Sequence, residues 1–237
     1  MKNLLTVNDL NISYDGRTPA LKGIDVSIDH KEILGIVGES GSGKTTLIRS
    51  LINLLPSNTS VDSRIMRFNG KDLGALNKKQ WRKLRGSEIA MIFQNPGSYL
   101  NPTIKIGRQF VESIRSKQSV SKNEARQKAI QTLEKMHLND PQWIMNAYPF
   151  QLSGGMQQRV AIAMTIVMEP LLILADEPTS ALDVKTQAQI VRELVALREN
   201  FDTSIIMVTH NICCSAPVSY THLTLPTNRV AGGGGGG

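Results

Sequence analysis

Cysteine is absent from residues 1–210; the two present, Cys213 and Cys214, lie side by side near the end. No disulfide framework holds that long stretch, so it must fold by packing alone. Aromatic residues make up only 5% of the 237, which leaves aliphatic side chains to build the core. Long apolar runs are missing too. The longest, residues 160–168, falls far short of the ~20 residues that span a bilayer. Residues 1–10 contain no continuous apolar segment of the kind a secretory signal carries. Acidic residues are the minority among the charges: 20 Asp and Glu against 27 Lys and Arg give a net charge of +7. Much of the excess is local, where Lys71, Lys78, Lys79, Arg82, Lys83 and Arg85 face only Asp72. Trp81 is the one aromatic among them, so the patch lacks a stacking platform for nucleic-acid bases. An anionic ligand or a membrane surface suits it equally well. The rest is ordinary: 41% hydrophobic and 20% charged residues describe a globular chain and exclude disordered, collagen-like and disulfide-dense classes.

The periodicities predict alternating strands and helices. Residues 4–14 and 21–28 alternate apolar and polar, with Asp15-Gly16 as a turn between them, so an antiparallel sheet is expected at the N-terminus. Residues 33–37 form a continuous apolar run that suits a strand buried on both faces. Leu47, Ile48, Leu51, Ile52 and Leu55 fall on one side of a helix over residues 45–55. Further strands are expected at residues 65–68 (followed by an Asn69-Gly70 turn), 89–93, 171–175 and 205–208. Ser121 with Glu124 three residues on signals a capped helix. Helices are also expected over residues 153–168 and 184–197. The order implies an α/β fold with a mostly parallel sheet, an N-terminal antiparallel β subdomain and a helical insertion over about residues 95–168. No internal repeat is present.

Three strings carry chemistry. Gly38-Glu39-Ser40-Gly41-Ser42-Gly43-Lys44-Thr45 fits the G-x-x-x-x-G-K-[ST] phosphate loop, with a buried strand before it and an amphipathic helix after it, and Thr46 is expected at the nucleotide with these residues. Its glycines let backbone N–H groups close around phosphate oxygens. Lys44 is expected at the β- and γ-phosphates and the Thr45 hydroxyl on Mg²⁺. Residues 171–177 form an apolar strand ending in Asp176 and Glu177. Asp176 is expected to hold Mg²⁺, and Glu177 to act as general base on, or to position, the attacking water. Ser153, Gly154 and Gly155 open another helix, followed by Gln157, and make a second anion site. One nucleotide does not need two such sites, so the second is expected to serve a nucleotide held by another chain.

In combination these strings resemble the ATP-binding subunits of ATP-binding cassette (ABC) transporters, over residues 1–211. The resemblance implies a P-loop NTPase core that binds ATP and Mg²⁺. It implies a head-to-tail dimer in which Lys44 of one subunit and residues 153–155 of the other enclose each nucleotide. Tyr14 matches the aromatic that stacks on adenine, and Gln94 the glutamine that senses Mg²⁺ and water beside the membrane partner. Asp183 lies in the Ser180-Ala181-Leu182-Asp183 string that matches the loop coupling the two sites, and His210 matches the histidine at the γ-phosphate. Residues 93–102 and 148–156 look like the subgroup that imports di- and oligopeptides or nickel. That subgroup implies a second ABC ATPase subunit, identical or different, integral membrane permeases, and an external substrate-binding protein acting indirectly. It also implies a place at the cytoplasmic face of the cell membrane and no nucleic-acid partner. Non-transport cassettes of DNA repair or translation are the alternative, but the insertion lacks the sustained heptads of their coiled coils. The family continues past the histidine with more helix and strands. Here residues 212–237 instead read as an adapter-like, polyglycine-ended tail, expected to be non-native or disordered and to lie outside the fold. A chain without those family elements is expected to be poorly stable, or to be an inactive fragment.

Overall fold

The computed structural model describes residues 3–16, 18–94, 96–178, 192, 194–198, 201–209 and 221–225. β1 (Asn3–Tyr14) and β2 (Thr18–Asp29) pair antiparallel. Leu5, Val7, Leu10 and Ile12 of the first, and Leu21, Ile24, Val26 and Ile28 of the second, are buried. The turn between them is left-handed at Asp15 (φ 54°) and Gly16 (φ 65°). β3 (Ile33–Val37) leads through the phosphate loop into α1 (Lys44–Leu51). This helix stops four residues short of the apolar pattern. Asn53 takes a left-handed φ of 50°, and Asn53 N donates to Ser50 O at 3.0 Å while Leu54 N donates to Arg49 O at 2.9 Å. That paired cap satisfies the last carbonyls and ends the helix.

β4 (Thr59–Asp62) and β5 (Ile65–Phe68) both pair with β1, and the two-residue β6 (Lys71–Asp72) extends that antiparallel sheet. Four of the six patch cations fall in α2 (Lys78–Leu84), started by a reciprocal Asn77–Gln80 capping box and anchored by buried Trp81 and Leu84; Lys71 lies in β6 and Arg85 caps the helix end. β7 (Ile89–Ile92) opens the second sheet, and β8 (Leu172–Asp176) and β9 (Ser204–Thr209) continue it. Between β7 and β8 lies the expected helical insertion: α3 (Ile106–Arg115), α4 (Lys122–Lys135), α5 (Pro141–Asn146) and α6 (Gly154–Ile166). Ser121 caps α4, and the hydrogen bonds it exchanges with Glu124 hold that carboxyl below its ordinary pKa. Of the helix expected over residues 184–197, most lies outside the described residues.

A last strand, β10 (Thr221–Thr224), falls in the stretch that the sequence excludes from the fold. The second sheet runs β10-β3-β9-β8-β7, parallel throughout. On the side away from β9, the Thr-His-Leu-Thr segment of β10 covers the edge of β3 and satisfies its backbone groups. Alternation along the central strands divides the core in two. Leu34, Ile36, Leu172, Leu174, Ile206 and Val208 pack with α1 and the antiparallel sheet. Ile33, Ile173, Ala175, Ile205 and Met207 pack with the helical insertion. The sheet is thus clamped between both subdomains, and the C-terminal ends of β3, β8 and β9 come together at one rim. Among the described residues no helix is long and apolar enough to cross a membrane.

Candidate functional site

The rim is built around the loop after β3. Gly43 sits just before α1 with φ 90°, and a Cβ there would lie 2.5 Å from Leu21 Cδ2 and 3.0 Å from Ala20 O. Only glycine lets the loop press so closely against β2. Lys44 is 5% exposed. Its ammonium donates to the carbonyls of Gly38 and Glu39 at 2.7 Å each, closing the loop on itself. A cavity of about 200 Å³ opens over the loop, lined by Ser40, Gly41, Gly43, Lys44, Thr45, Thr46 and Glu177.

Two acids close the site from β8. Thr45 Oγ1 donates to Asp176 Oδ1 at 2.9 Å, so β8 meets the first turn of α1. Burial pushes the Asp176 carboxyl above its ordinary pKa, and nearby Glu177 adds to the rise. The Thr45 hydrogen bond and the charges of Arg49 and Lys44 oppose it. Glu177 takes a left-handed φ of 45°, a conformation that costs energy for a residue with a side chain. Its N–H donates to Val208 O at 3.1 Å. The kink turns the chain out of β8 and leaves Glu177 on the wall of the loop cavity. Tyr14, at the end of β1, shares a 2.9 Å hydrogen bond with the Thr46 hydroxyl. The N-terminal subdomain therefore delivers its aromatic to the same helix start.

The arrangement fits a magnesium nucleotide. The Ser42 hydroxyl is buried without a hydrogen-bond partner, a costly state that a phosphate oxygen relieves. Thr45 and Asp176 bring two hard oxygen atoms together, the donor type that Mg²⁺ takes. Among the described residues no cluster of three or more His, Cys, Asp or Glu could hold a metal.

Other expected site residues stand apart. Ser153 caps α6 by accepting from Met156 N at 3.3 Å. Ser153, Gly154 and Gly155 are exposed, and a Cβ on either glycine would meet nothing within 4 Å. None of the three lines the cavity over the phosphate loop. Gln157 does not point its amide donors outward: Nε2 donates to Pro149 O at 2.9 Å and Leu152 O at 3.1 Å, bracing the turn before α6. Gln94 is exposed just beyond β7. Asp183 and His210 lie outside the described residues. Sequence reasoning missed Gln158. It is buried, and its Nε2 donates to Pro178 O at 2.8 Å. It thereby ties α6 to the residue after Glu177; its partner lies 20 positions away, so no local pattern marks it. Arg49, whose charge acts on Asp176, was missed for the same reason.

Comparison with known proteins agrees with this geometry. The family described as ABC transporter matches residues 21–180. The oligopeptide transport ATP-binding protein OppD of Bacillus subtilis is 43% identical over 91% of this chain and 62% of its own length. The dipeptide transport ATP-binding protein DppD of Escherichia coli is 38% identical over 96% of this chain and 70% of its own. This chain thus spans roughly two thirds of the length of these curated relatives. Among solved structures, cbiO1 from Clostridium perfringens, part of the transporter complex cbiONQ, superposes with a TM-score of 0.77 at 30% identity, covering 90% of this chain and 80% of that one. A dimeric post-hydrolysis state of the ATP-binding cassette MJ0796, bound to ADP and Pi, superposes with a TM-score of 0.72 at 30% identity, covering 89% of each chain. With its phosphate loop, acidic β8 exit and capped α6 all inside or beside a family match of this extent, the chain belongs to the ABC transporter family.

Proposed function

We propose that this chain binds and hydrolyses ATP as the nucleotide-binding subunit of a peptide importer. The observation that carries the proposal is the 2.9 Å bond from Thr45 to Asp176, with Glu177 on the same cavity wall. It supports the reading by bringing the first turn of α1, Asp176 and Glu177 to one small space over the loop. Lys44 binds the β- and γ-phosphates once they replace the Gly38 and Glu39 carbonyls as its partners. Thr45 and Asp176, with Gln94 reaching from beyond β7, hold Mg²⁺, whose charge offsets that of the phosphates. Glu177 takes the proton of the attacking water as the bond between the terminal phosphate and ADP breaks. Tyr14 stacks on the adenine. His210 contacts the terminal phosphate.

Ser153, Gly154 and Gly155 are exposed and away from their own chain's cavity, which supports a role in a second subunit's site. Two cassettes then pack head to tail, with Asp183 in the coupling loop between them; the neighbouring structure bound to ADP and Pi is itself a dimer. A permease docks beside Gln94. Two adjoining apolar hollows of about 180 and 260 Å³, sharing Met91, Phe93, Met164 and Thr165, support that surface. Tyr99 on the rim is 64% exposed. The peptide cargo rests on the names of the relatives, and other subunits contact it. The subunit sits peripherally on the cytoplasmic face of the membrane.

The test is ATP-driven dipeptide uptake into vesicles carrying this chain with co-expressed permeases and partner cassette. Uptake and ATP turnover are expected together. Lys44→Ala is expected to weaken ATP binding by about 10- to 100-fold, the range of one charged hydrogen bond. Unchanged ATP binding in that variant removes the phosphate-loop assignment, and turnover without dipeptide uptake removes the cargo.

A further inference from the structure

The helical insertion carries a groove of about 510 Å³ between α3, the start of α4 and the end of α5. Its volume is in the range of small-molecule sites. Lys105, Arg108, Arg115, Lys122 and Arg126 line it, with Glu112 as the one acid. Arg108 and Arg115 lie two turns apart on one side of α3, and Lys122 and Arg126 one turn apart on α4. Like charges at such spacing repel. Glu112 answers only one of them, pairing with Arg108 at 2.7 Å. Among the described residues the other four make no ion pair.

Three of these four have neutral contacts that leave their charge uncancelled. Arg115 Nε donates to Val120 O at 3.2 Å, and Arg126 donates to Gln142 Oε1 at 3.3 Å, both neutral acceptors. The Lys105 ammonium lies 5.8 Å from the centre of the Tyr148 ring. Asn123 and Asn146 also line the walls, the Asn146 amide donating to Gln142 O at 2.9 Å, and buried Met145 supplies apolar floor. The start of α4 contributes its positive end, although Glu124 faces back on Ser121 there. Cations on a convex surface would be solvated singly. Around a concavity their fields add, and guanidinium groups match phosphate geometry.

We propose that this groove is a second anion site, which binds a phosphate monoester or polyphosphate group presented either by a soluble compound or by an anionic phospholipid headgroup. The site is separate from the phosphate loop and independent of the importer assignment. The test uses the full chain carrying Lys44→Ala, so that competition from the phosphate loop is weakened, and compares charge variants within that background. Tripolyphosphate binding is followed by titration calorimetry, and co-sedimentation is measured with phosphatidylglycerol and with phosphatidylcholine vesicles. Arg115→Gln with Arg126→Gln is expected to weaken binding by about tenfold or more, as the loss of charged hydrogen bonds does. Lys122→Gln with Arg126→Gln leaves the Arg115 bond to Val120 intact and is expected to act alike; circular dichroism checks that both variants fold. A loss confined to tripolyphosphate supports the site with a soluble ligand. A loss confined to phosphatidylglycerol supports it with a headgroup. Binding of neither probe, or binding equal in the charge variants and their parent, overturns the proposal.

Discussion

Thr45 and Asp176 are 131 positions apart in the chain and 2.9 Å apart in the fold, hydroxyl to carboxylate. The bond crosses from α1 to β8, and those elements are brought together by a sheet in which β9 separates β8 from β3. The pairing of Thr45 with Asp176 is therefore a property of the whole parallel sheet.

The same pair predicts a pH dependence. Asp176 has a folded pKa above its unfolded value of about 3.9. Its protonated form is favoured by folding, so its contribution to stability is full below the unfolded pKa and is lost as pH rises through the folded one. At neutral pH the buried carboxylate costs stability when no metal is bound. Asp176→Asn keeps an acceptor for Thr45 and removes the charge. Without nucleotide, the variant is expected to melt higher than its parent at pH 8, and the gap should close as pH falls. Magnesium-dependent ATP binding should be lost in the variant, and should weaken in the parent on acidification. A variant that melts lower at pH 8 would sink this account.

Glu177 predicts a separation of binding from turnover. Glu177→Gln retains the shape of the cavity wall and removes the proton acceptor. Turnover should drop by about 10²- to 10⁴-fold, the usual contribution of a general base, with ATP affinity close to that of the parent. Stopped assays of phosphate release alongside equilibrium ATP binding measure both. Equal turnover in the two proteins would remove Glu177 from the chemistry.

Two loop glycines should respond differently to the same methyl group. Gly41 has φ 82° and open space around a new Cβ; Gly43 has φ 90° and backbone and side-chain atoms of β2 in the way. Gly41→Ala should cost only the left-handed conformation, about 1–2 kcal/mol. Gly43→Ala bears that cost and must also push Leu21 aside, so overpacking adds about 1–3 kcal/mol. Urea denaturation of both variants ranks them. Equal losses would mean that the contact with β2 yields without cost.

Much of this architecture was legible because its signals are local. The phosphate loop, the Ser121–Glu124 box and the apolar runs of β3, β8 and β9 each lie within a few residues. The end of α1 was misplaced because Leu55 continues the apolar period, while the left-handed turn at Asn53 had already stopped the helix. α2 was hidden because it has seven residues, two of them buried, among the densest cations of the chain. Gln158 and Arg49 carry no local mark, since their partners arrive only through tertiary folding. The Asp183 and His210 assignments rest on resemblance, being outside the described residues.

β10 gives the last prediction, and it concerns the strand that carries the phosphate loop. Thr221–Thr224 pairs with β3 from Leu34 to Val37, and the next residue, Leu225, donates its N–H to Val37 O at 3.0 Å. The Leu225 side chain is buried, and its carbonyl lies 3.5 Å from where a Cβ on Gly38 would stand. A chain ending at residue 211 loses this cover. β3 then becomes an edge strand with unpaired backbone groups beside the nucleotide loop, a template for association with other chains. Burial of Leu225 alone is worth about 2 kcal/mol, which corresponds to a melting temperature lower by roughly 4–8 °C in a chain of this size. Lower thermal stability and concentration-dependent aggregation are expected for the shortened chain, by calorimetry and light scattering. Identical melts would mean that residues 212–237 lie outside the cooperative fold, as their composition suggests, and that β3 is stable with an open edge.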